Sequence, residues 1–389
     1  MSSNVDKKGV ETAANISAAV KQLDQDLFSA VRGINILDAV APLNYRQERD
    51  AFFASNFSVN PQFAYADHSL DLFQRKRALF NLPVEQLKDD DLISLYSSVI
   101  ESYVDKLDQY KSIGTPEFLY DALRYYGEPS EKDIGNARFI LHLPDDLDPR
   151  AEELLNAEEI QRRLEAFAIQ EGYQYQIKLD DSMIANALVS GLTVKINTGA
   201  LASAVETKAL AHHELGVHLV TTLNARNQPL QVLSLGSPVN TTTQEGLAIL
   251  CEYLSGCLTL PRLKILALRV VAVQSMIQEK DFKRTFSLLR NGYGVADELA
   301  FTITARVYRG GGFTKDYLYL QGFHQMLHAS ETQTDFTHLL AGKVSMAHLP
   351  IVRRLIEKGF LTAPGFISPA IARPEPIDDV HKFIAHAIK

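Results

Sequence analysis

The sequence predicts an α+β fold that is predominantly helical and includes one small sheet. Over most of the 389 residues, apolar side chains recur every three to four positions, which is the spacing of amphipathic helices. Strand-like segments are confined to residues 137–196, directly before a segment that is rich in histidine. The sheet is therefore expected beside a helix that carries several histidines.

The composition is that of an ordinary globular protein. Hydrophobic residues make up 46% of the chain and charged residues 22%, and the length suffices for a large core and two or three subdomains. The net charge of -8 argues against non-specific binding to nucleic acid or to an anionic membrane. We therefore expect neither as a partner, and the sequence does not predict the oligomeric state.

Cysteine usage and the N-terminus bear on the compartment. Cys251 and Cys257 are the only two cysteines, which fits a reducing environment, and we interpret both as small buried side chains. The N-terminal segment has no apolar core followed by a cleavage site, and no apolar run reaches the roughly 18 residues of a membrane span. These features predict a cytoplasmic protein.

Residues 1–133 are predicted to form a helical N-terminal region without a functional site of its own. The first 15 residues are polar and are interpreted as a loose start. Helical spacing of apolar residues then runs from Ile16 to Gly33 and from Leu87 to Gly114, with prolines as breaks between helices.

The next region, residues 134–330, begins with the strand-like segments. The predicted strands are Ala137–Pro144, Tyr173–Leu179 and Leu192–Ile196. Between the first two lie a turn at residues 145–149 and an acidic helix from Ala151 to Ile169. Residues 331–389 are predicted to form a helical C-terminal region that packs on this core.

The segment Ala211–Val220 reads AHHELGVHLV and contains the residue types of half a zinc site. Hydrolytic zinc enzymes hold the ion with three His or Glu ligands and leave a fourth position for water. His213 and His218 are the predicted ligands, and Glu214, adjacent to one of them, is the predicted general base. His212 is an alternative to His213, although no Glu follows it directly. The non-functional alternative is an amphipathic helix with ordinary histidines.

The two proposed histidine ligands lie five residues apart, one more than in the common zinc-peptidase motif H-E-x-x-H. A regular α-helix separates positions i and i+5 by about 140°, so it would not direct both side chains at one ion. Either a π-type bulge or a loosening at Gly216 would bring them together. We therefore predict a local distortion between Leu215 and His218.

The segment Asn240–Gly256 supplies the third ligand that the histidine motif lacks. Its threonines 241–243 are candidate N-caps and predict a helix that opens near Gln244, with Glu245 in its first turn. Glu245 is the predicted third metal ligand. Glu252 falls on nearly the same helix face, and it is predicted either to hydrogen-bond a ligand histidine or to be solvated.

The pair HELGVH and QEGLA resembles the motifs of the microtubule-associated tyrosine carboxypeptidases and their bacterial relatives, the flavohaemoglobin expression-modulating QEGLA-motif proteins. The resemblance extends over Ala137–Gly322. It implies that His213, His218 and Glu245 bind zinc and that Glu214 is catalytic, the same four residues that the chemistry selects. It also implies a zincin-like metallopeptidase core and carboxypeptidase action on the C-terminus of a peptide or protein; the animal members release tyrosine.

The segment Thr302–Gly322 contains three consecutive glycines flanked by basic and aromatic residues. A carboxypeptidase needs a cation for the free carboxylate of its substrate, and the bidentate fork of arginine suits this role. The predicted substrate-binding residues are Arg306, Arg309, Lys315, Tyr317 and Tyr319, with a tyrosine donating to the oxyanion. The alternative for the glycines is a phosphate-binding loop, although the context of a P-loop is missing.

The chemistry of the motifs predicts metal-dependent hydrolysis, and the resemblance implies a zinc metallopeptidase, in particular a metallocarboxypeptidase. Leu192–Thr198 is further predicted to be an edge strand beside the metal-binding helix, to which an extended peptide adds; a buried structural strand is the alternative. Two other functions fit the motifs: a non-catalytic, zinc-containing regulatory or binding protein, and a different amide hydrolase with the same metal chemistry.

Overall fold

The computed structural model describes residues 16–67, 70–144, 153–181, 183 and 186–389. Helices dominate these residues, and a three-stranded sheet lies in the middle of the sequence. This agrees with the α+β, predominantly helical class predicted above. The polar residues 1–15 and the turn predicted at 145–149 lie outside the described residues.

The N-terminal part consists of helices. They are α1 (Ala18–Val31), α2 (Ile36–Ala39), α3 (Tyr45–Ala54), α4 (Leu72–Phe80), α5 (Asp90–Ser112), α6 (Phe118–Tyr126) and α7 (Glu131–Leu141). Both long helices predicted here are present as α1 and α5. The side chain of Asp89 starts α5 by accepting hydrogen bonds from the amides of Asp91 and Leu92, which the first turn of a helix leaves free.

The strand predicted at Ala137–Pro144 is wrong, because most of this segment belongs to α7. Ser130 and Asp133 form a capping box that starts the helix. The buried apolar residues of α7 recur at helical spacing, as Ile134, Ala137 and Ile140. The apolar run that suggested a strand is therefore one face and the end of a helix.

The central part contains the sheet and the longest run of helices. Its elements are α8 (Ala157–Glu171), β1 (Gln176–Asp180), β2 (Ala187–Ser190), β3 (Thr193–Asn197), α9 (Ala204–Leu210), a π-helix (Ala211–Leu219), α10 (Val220–Arg226), α11 (Val232–Leu235), α12 (Asn240–Leu254), α13 (Leu260–Glu279), α14 (Phe282–Ser287), α15 (Asp297–Tyr308) and α16 (Leu318–Thr332). A short 3₁₀ helix, Thr314–Tyr317, precedes α16.

The sheet has the strand order β1-β3-β2. β1 runs parallel to β3, and β2 pairs with β3 in the antiparallel direction. The prediction that Leu192–Thr198 is an edge strand is wrong, because β3 is central and buries Val194 and Ile196 completely. β2, which the sequence analysis missed, is an edge strand that packs against the π-helix.

The C-terminal part adds α17 (Leu349–Glu357), α18 (Pro369–Ala372) and α19 (Asp379–Ala387). Buried apolar side chains form a cluster that extends from Ile16 to Ile388 and includes residues on both sides of 133 and 330. Phe52 of α3, for example, packs edge-to-face on Phe286 of α14, with ring centres 4.9 Å apart. Region boundaries at 133 and 330 remain a prediction. Among the described helices, none combines the length and the apolar character needed to span a bilayer.

Candidate metal centre

One continuous helical segment carries the histidine motif. It begins with α9, continues as the π-helix and ends with α10. Hydrogen bonds in a π-helix join residues five apart, so side chains at i and i+5 lie on one face. The rings of His213 and His218 accordingly lie 5.1 Å apart, centre to centre, in an edge-to-face arrangement. The predicted distortion is present, and it extends over nine residues.

Glu245 reaches the histidines from α12, which packs against the π-helix. This helix begins at Asn240, where Val239 has a left-handed backbone conformation with φ of 50°, so Glu245 lies in the second turn. The prediction that threonines cap the helix and that Glu245 lies in the first turn is wrong. Thr243 is inside the helix, and its hydroxyl oxygen accepts a hydrogen bond from the amide of Met346 at 2.8 Å.

Three side chains from these two helices converge. Their metal-suited atoms, on His213, His218 and Glu245, all lie within 4.8 Å of one another. Oε2 of Glu245 is 3.7 Å from Nε2 of His213 and 3.6 Å from Nε2 of His218. Ligand atoms about 2.0–2.1 Å from one tetrahedral ion stand about 3.4 Å apart, so two imidazoles and a carboxylate in this arrangement fit Zn²⁺.

A second layer of contacts orients His213. Its Nδ1 lies 2.7 Å from Oε1 of Glu252, which is buried on α12. Arg262 of α13 in turn donates to both oxygens of Glu252, at 3.0 Å each. Carboxylates that hold the second ring nitrogen of a metal-bound histidine fix the ring and its tautomer. Glu252 was predicted either to hydrogen-bond a ligand histidine or to be solvated, and the structure shows the hydrogen bond. The sequence analysis did not predict the contact between Glu252 and Arg262.

Buried charges around the histidines influence one another strongly. Burial alone would lower the pKa of His213, but the neighbouring carboxylates of Glu245 and Glu252 raise it to about 10. Burial would raise the pKa of Glu245, yet the charge of Lys315 and contacts with both histidines hold it well below its usual range. In the same way, Arg262 and His213 keep the pKa of Glu252 at about 2 despite burial. Both carboxylates therefore stay ionised.

Glu214 stands at the edge of the cluster. Its Oε1 lies 3.9 Å from Nε2 of His213, and 10% of its side chain is exposed. A largely buried carboxylate thus lies beside the metal-suited atoms, the position that a general base requires.

His212 is oriented away from the cluster. Its ring packs edge-to-face against Phe167 of α8, with centres 5.0 Å apart, and burial lowers its pKa to about 4. Among the described residues, the group that could hold a metal contains His213 and not His212. The order in which the sequence analysis ranked the two histidines agrees with this arrangement.

Lys315 contacts the other oxygen of Glu245. Its Nζ donates to Oε1 of Glu245 at 2.9 Å and to the hydroxyl of Tyr319 at 2.8 Å. Only 4% of the lysine side chain is exposed. A residue predicted to bind substrate therefore pairs directly with a predicted metal ligand, and Tyr319 lies close to the same carboxylate.

Asp316 lies next to both arginines that were predicted to bind the substrate carboxylate. It is fully buried and accepts from Arg306 with both oxygens, at 2.6 Å from Nε and 3.2 Å from Nη2. Arg309 lies farther away, with Nη2 at 3.9 Å from Asp316, and its guanidinium stacks over Phe313. Arg306 was predicted to offer a free fork to the substrate carboxylate, but that fork is already occupied by Asp316.

The glycine run turns the chain sharply after α15. Gly310, Gly311 and Gly312 have φ values of 73°, 113° and 130°, which favour glycine. A Cβ on Gly311 would lie 2.2 Å from the carbonyl oxygen of Thr115, and one on Gly310 would lie 2.6 Å from the ring of Phe118. The glycines thus permit close packing against the start of α6, which does not support the alternative of a phosphate-binding loop.

Tyr317 uses its hydroxyl elsewhere. It donates to the backbone carbonyl of Tyr126 at 2.6 Å. A phenol has one hydrogen to donate, so Tyr317 cannot donate to an oxyanion without breaking this bond. Of the two predicted tyrosines, Tyr319 is the one that lies at the cluster.

Lys343 is a neighbour of the site that sequence analysis missed. Its Nζ donates to the backbone carbonyl of His218 at 3.1 Å and to the hydroxyl of Thr221 at 2.8 Å. Burial lowers its pKa to about 8, against the opposing effect of Glu245 and Glu214. This lysine lies 125 residues after His218, and no local pattern marks it.

Comparison with known proteins extends the sequence resemblance. A family model described as microtubule-associated tyrosine carboxypeptidase matches residues 50–389, which is most of the chain. A search of curated proteins found no match. The matched range includes the π-helix, α12 and the cationic segment before α16.

Proposed function

This chain belongs to the microtubule-associated tyrosine carboxypeptidase family, and on that premise we propose that it is a zinc-dependent carboxypeptidase. In this proposal it removes the C-terminal residue of a peptide or protein, and the family description makes tyrosine the first candidate. The convergence of His213, His218 and Glu245 on one point is the observation that carries the proposal. The sheet beside the π-helix also supports the zincin-like core that the sequence suggested.

The three converging side chains would hold Zn²⁺, and a further contact fixes the side chains of His213 and Glu245. Glu252 orients His213, and Lys315 holds the second oxygen of Glu245. Lys343 binds the carbonyl of His218. When bound, zinc supplies Lewis acidity and lowers the pKa of water to about 7.

Glu214 is the proposed general base. It takes a proton from the attacking water and then transfers it to the leaving amine, which restores the carboxylate. Tyr319 and Lys315 are candidate donors to the oxyanion that forms from the scissile carbonyl. Lys315 is held near this position by Glu245. β2 offers an edge against the π-helix, along which the substrate backbone is proposed to lie.

The metal-suited group in the described residues has three members, with Glu214 beside it. A structural zinc site closes with four protein ligands, whereas a catalytic site keeps one position open. This favours the enzyme over the alternative of a non-catalytic zinc protein.

The test is the variant Glu214→Gln. We expect it to retain zinc at one equivalent, measured by elemental analysis, and to lose about 10²–10⁴-fold in kcat on a peptide that ends in tyrosine. Glu158→Gln, on the exposed face of α8, is the control and should keep full activity. Unchanged hydrolysis by Glu214→Gln, or wild-type protein without zinc, would contradict the proposal.

A further inference from the structure

We call His213, His218 and Glu245 the metal cluster. Not all of the cations near these three residues are paired with a carboxylate. Three of them have a carboxylate within hydrogen-bonding distance: Lys315 with Glu245, Arg262 with Glu252, and Arg306 with Asp316. Arg269 of α13 and Arg309 have none in the described part of the chain, and the Nε atom of each is enclosed without a hydrogen-bond partner. Both lie near Asp316, whose carboxylate already binds Arg306, so one carboxylate faces three arginines.

Guanidinium groups that are largely removed from water and lack a hydrogen-bonded anion are costly, because lost hydration is not replaced. Burial, with the charge of Arg306 adding to it, lowers the pKa of Arg269 to about 10 and also lowers the pKa of Arg309. Arg269 and Arg309 thus each lie close enough to Arg306 to be repelled by its charge. An arrangement of this kind is stabilised when an anion enters.

Tyr319 connects Arg269 to Lys315 beside Glu245, while Arg309 lies near Asp316. The guanidinium of Arg269 is 5.3 Å from the centre of the Tyr319 ring, and Nζ of Lys315 lies 4.4 Å from the same centre. Lys315 in turn contacts Glu245. Arg309 is held in place by stacking on Phe313, 4.8 Å from the ring centre.

Asp316 explains why Arg306 is not free. Its two oxygens bind Arg306 and leave Arg309 at 3.9 Å, too far for a hydrogen bond. The carboxylate fixes the first arginine and offsets part of the charge of the other two. Arg306 is thus bound to Asp316, and its fork is not available to the substrate.

We propose that Arg269 and Arg309 form the seat for the free α-carboxylate of the substrate, with Arg306 held beside them by Asp316. The proposal rests on the carboxypeptidase function proposed above. A guanidinium fork binds a carboxylate with two parallel hydrogen bonds, and the substrate carboxylate adds a second negative charge beside the three arginines. In this arrangement Arg269 is a determinant of specificity. Because the terminal carboxylate of the substrate is bound at a fixed place, the peptide bond that is cleaved is the one at a fixed distance from the chain end.

The experiment measures binding, so that it does not depend on turnover. In the Glu214→Gln background, a fluorescein-labelled peptide ending in tyrosine is titrated as the free acid and as the C-terminal amide, with fluorescence anisotropy as the readout. We expect the acid to bind at least 10-fold more tightly than the amide. Arg269→Gln and Arg309→Gln should each lose about 10-fold or more for the acid and leave the amide unchanged.

Two further variants separate binding from folding. Arg269→Lys keeps the charge and loses the fork, so its affinity for the acid should fall between those of Arg269→Gln and the parent. Arg284→Gln removes an exposed arginine that pairs with Glu279, and it should bind both peptides as the parent does. Removing an unpaired buried charge should not lower the melting temperature of Arg269→Gln.

Equal binding of acid and amide by the parent would overturn the seat, and so would an equal loss for both peptides in Arg269→Gln. Tighter binding of inorganic phosphate than of the acid peptide would overturn it as well. Acid preference that depends on Arg269 in a protein without zinc or hydrolysis would leave the seat standing and refute the proposed enzyme. Release of the C-terminal residue at the parent rate by zinc-loaded Arg269→Gln and Arg309→Gln, each made with Glu214 intact, would overturn the seat and leave the proposed enzyme standing.

Discussion

At the scale of single residues, Glu252 connects the metal cluster to the helix behind it. The carboxylate accepts from Nδ1 of His213 and from two nitrogens of Arg262, while only 2% of its side chain is exposed. It therefore fixes the ring that is proposed to bind zinc, and it compensates a cation on α13. No other contact of the proposed site joins α12, α13 and the π-helix through one described side chain in this way.

Replacing Glu252 by Gln should weaken zinc binding about 10–100-fold, because the amide keeps the size and loses the charge that holds His213 and Arg262. The dissociation constant is measured by competition with a chromogenic chelator. Glu279→Gln is a matched control, since Glu279 also accepts from an arginine, Arg284, but is exposed and lies at the end of α13. Equal zinc affinity of Glu252→Gln and wild type would contradict the role given to this carboxylate.

At the scale of elements, α12 and α16 cross with their backbones in contact. A Cβ on Gly246 would lie 2.3 Å from the carbonyl oxygen of Gly322, and one on Gly322 would lie 2.1 Å from the carbonyl oxygen of Thr242. The glycine that follows Glu245 is therefore required by packing. This crossing brings α16, with Tyr319 and the preceding Lys315, close enough to contact Glu245.

Gly246→Ala should destabilise the protein by about 1–3 kcal/mol or more, because the helices must separate to admit the methyl group. The free energy of unfolding is measured by urea denaturation. Gly135→Ala is the control, since Gly135 lies in α7 with open space where the Cβ would stand. That change should stabilise the protein by about 0.5–1 kcal/mol through helix propensity. If both variants gained stability, the backbone contact between α12 and α16 would not be as close as described.

At the scale of the whole molecule, ion pairs connect the first and last parts of the chain. Asp91 in the first turn of α5 accepts from Arg354 and Lys358 at the end of α17, with shortest distances of 2.7 and 2.8 Å. Hydrogen bonds from these two cations lower the pKa of Asp91 to about 2. The N-terminal and C-terminal regions thus stabilise each other at a point far from the metal cluster in sequence.

Asp91→Asn should lower the urea midpoint of unfolding at pH 7, and the loss should shrink as the pH falls. The folded pKa of Asp91 lies below its unfolded value of about 3.9. Its contribution is therefore complete above about pH 4 and disappears as the pH falls through about 2. Midpoints are compared at pH 7, 5 and 3.

Asp90→Asn is the matched control, because Asp90 occupies the same helical turn and is exposed. It shares the favourable position at the helix N-terminus but not the ion pairs, so its effect should be smaller. A loss of equal size in both variants, or a loss for Asp91→Asn that does not change with pH, would argue against the link between α5 and α17.

The sequence by itself determined the helical class, the three residues that converge as a candidate metal site, and the need for an irregular helix. These follow from local physics: residue chemistry selected His213, His218 and Glu245, and the five-residue spacing demanded a departure from α-helical geometry. The sequence also contained the capping box of α7, yet an apolar run outweighed it and produced a false strand.

Only the tertiary structure decided which groups are free to act. It paired Arg306 with Asp316 and Lys315 with Glu245, and it left Arg269 without a carboxylate among the described residues. It also placed β3 at the centre of the sheet. The physical reason is that many of these contacts join segments far apart in the sequence. Whether a charged side chain meets an opposite charge therefore depends on how the helices pack, which no local spacing encodes.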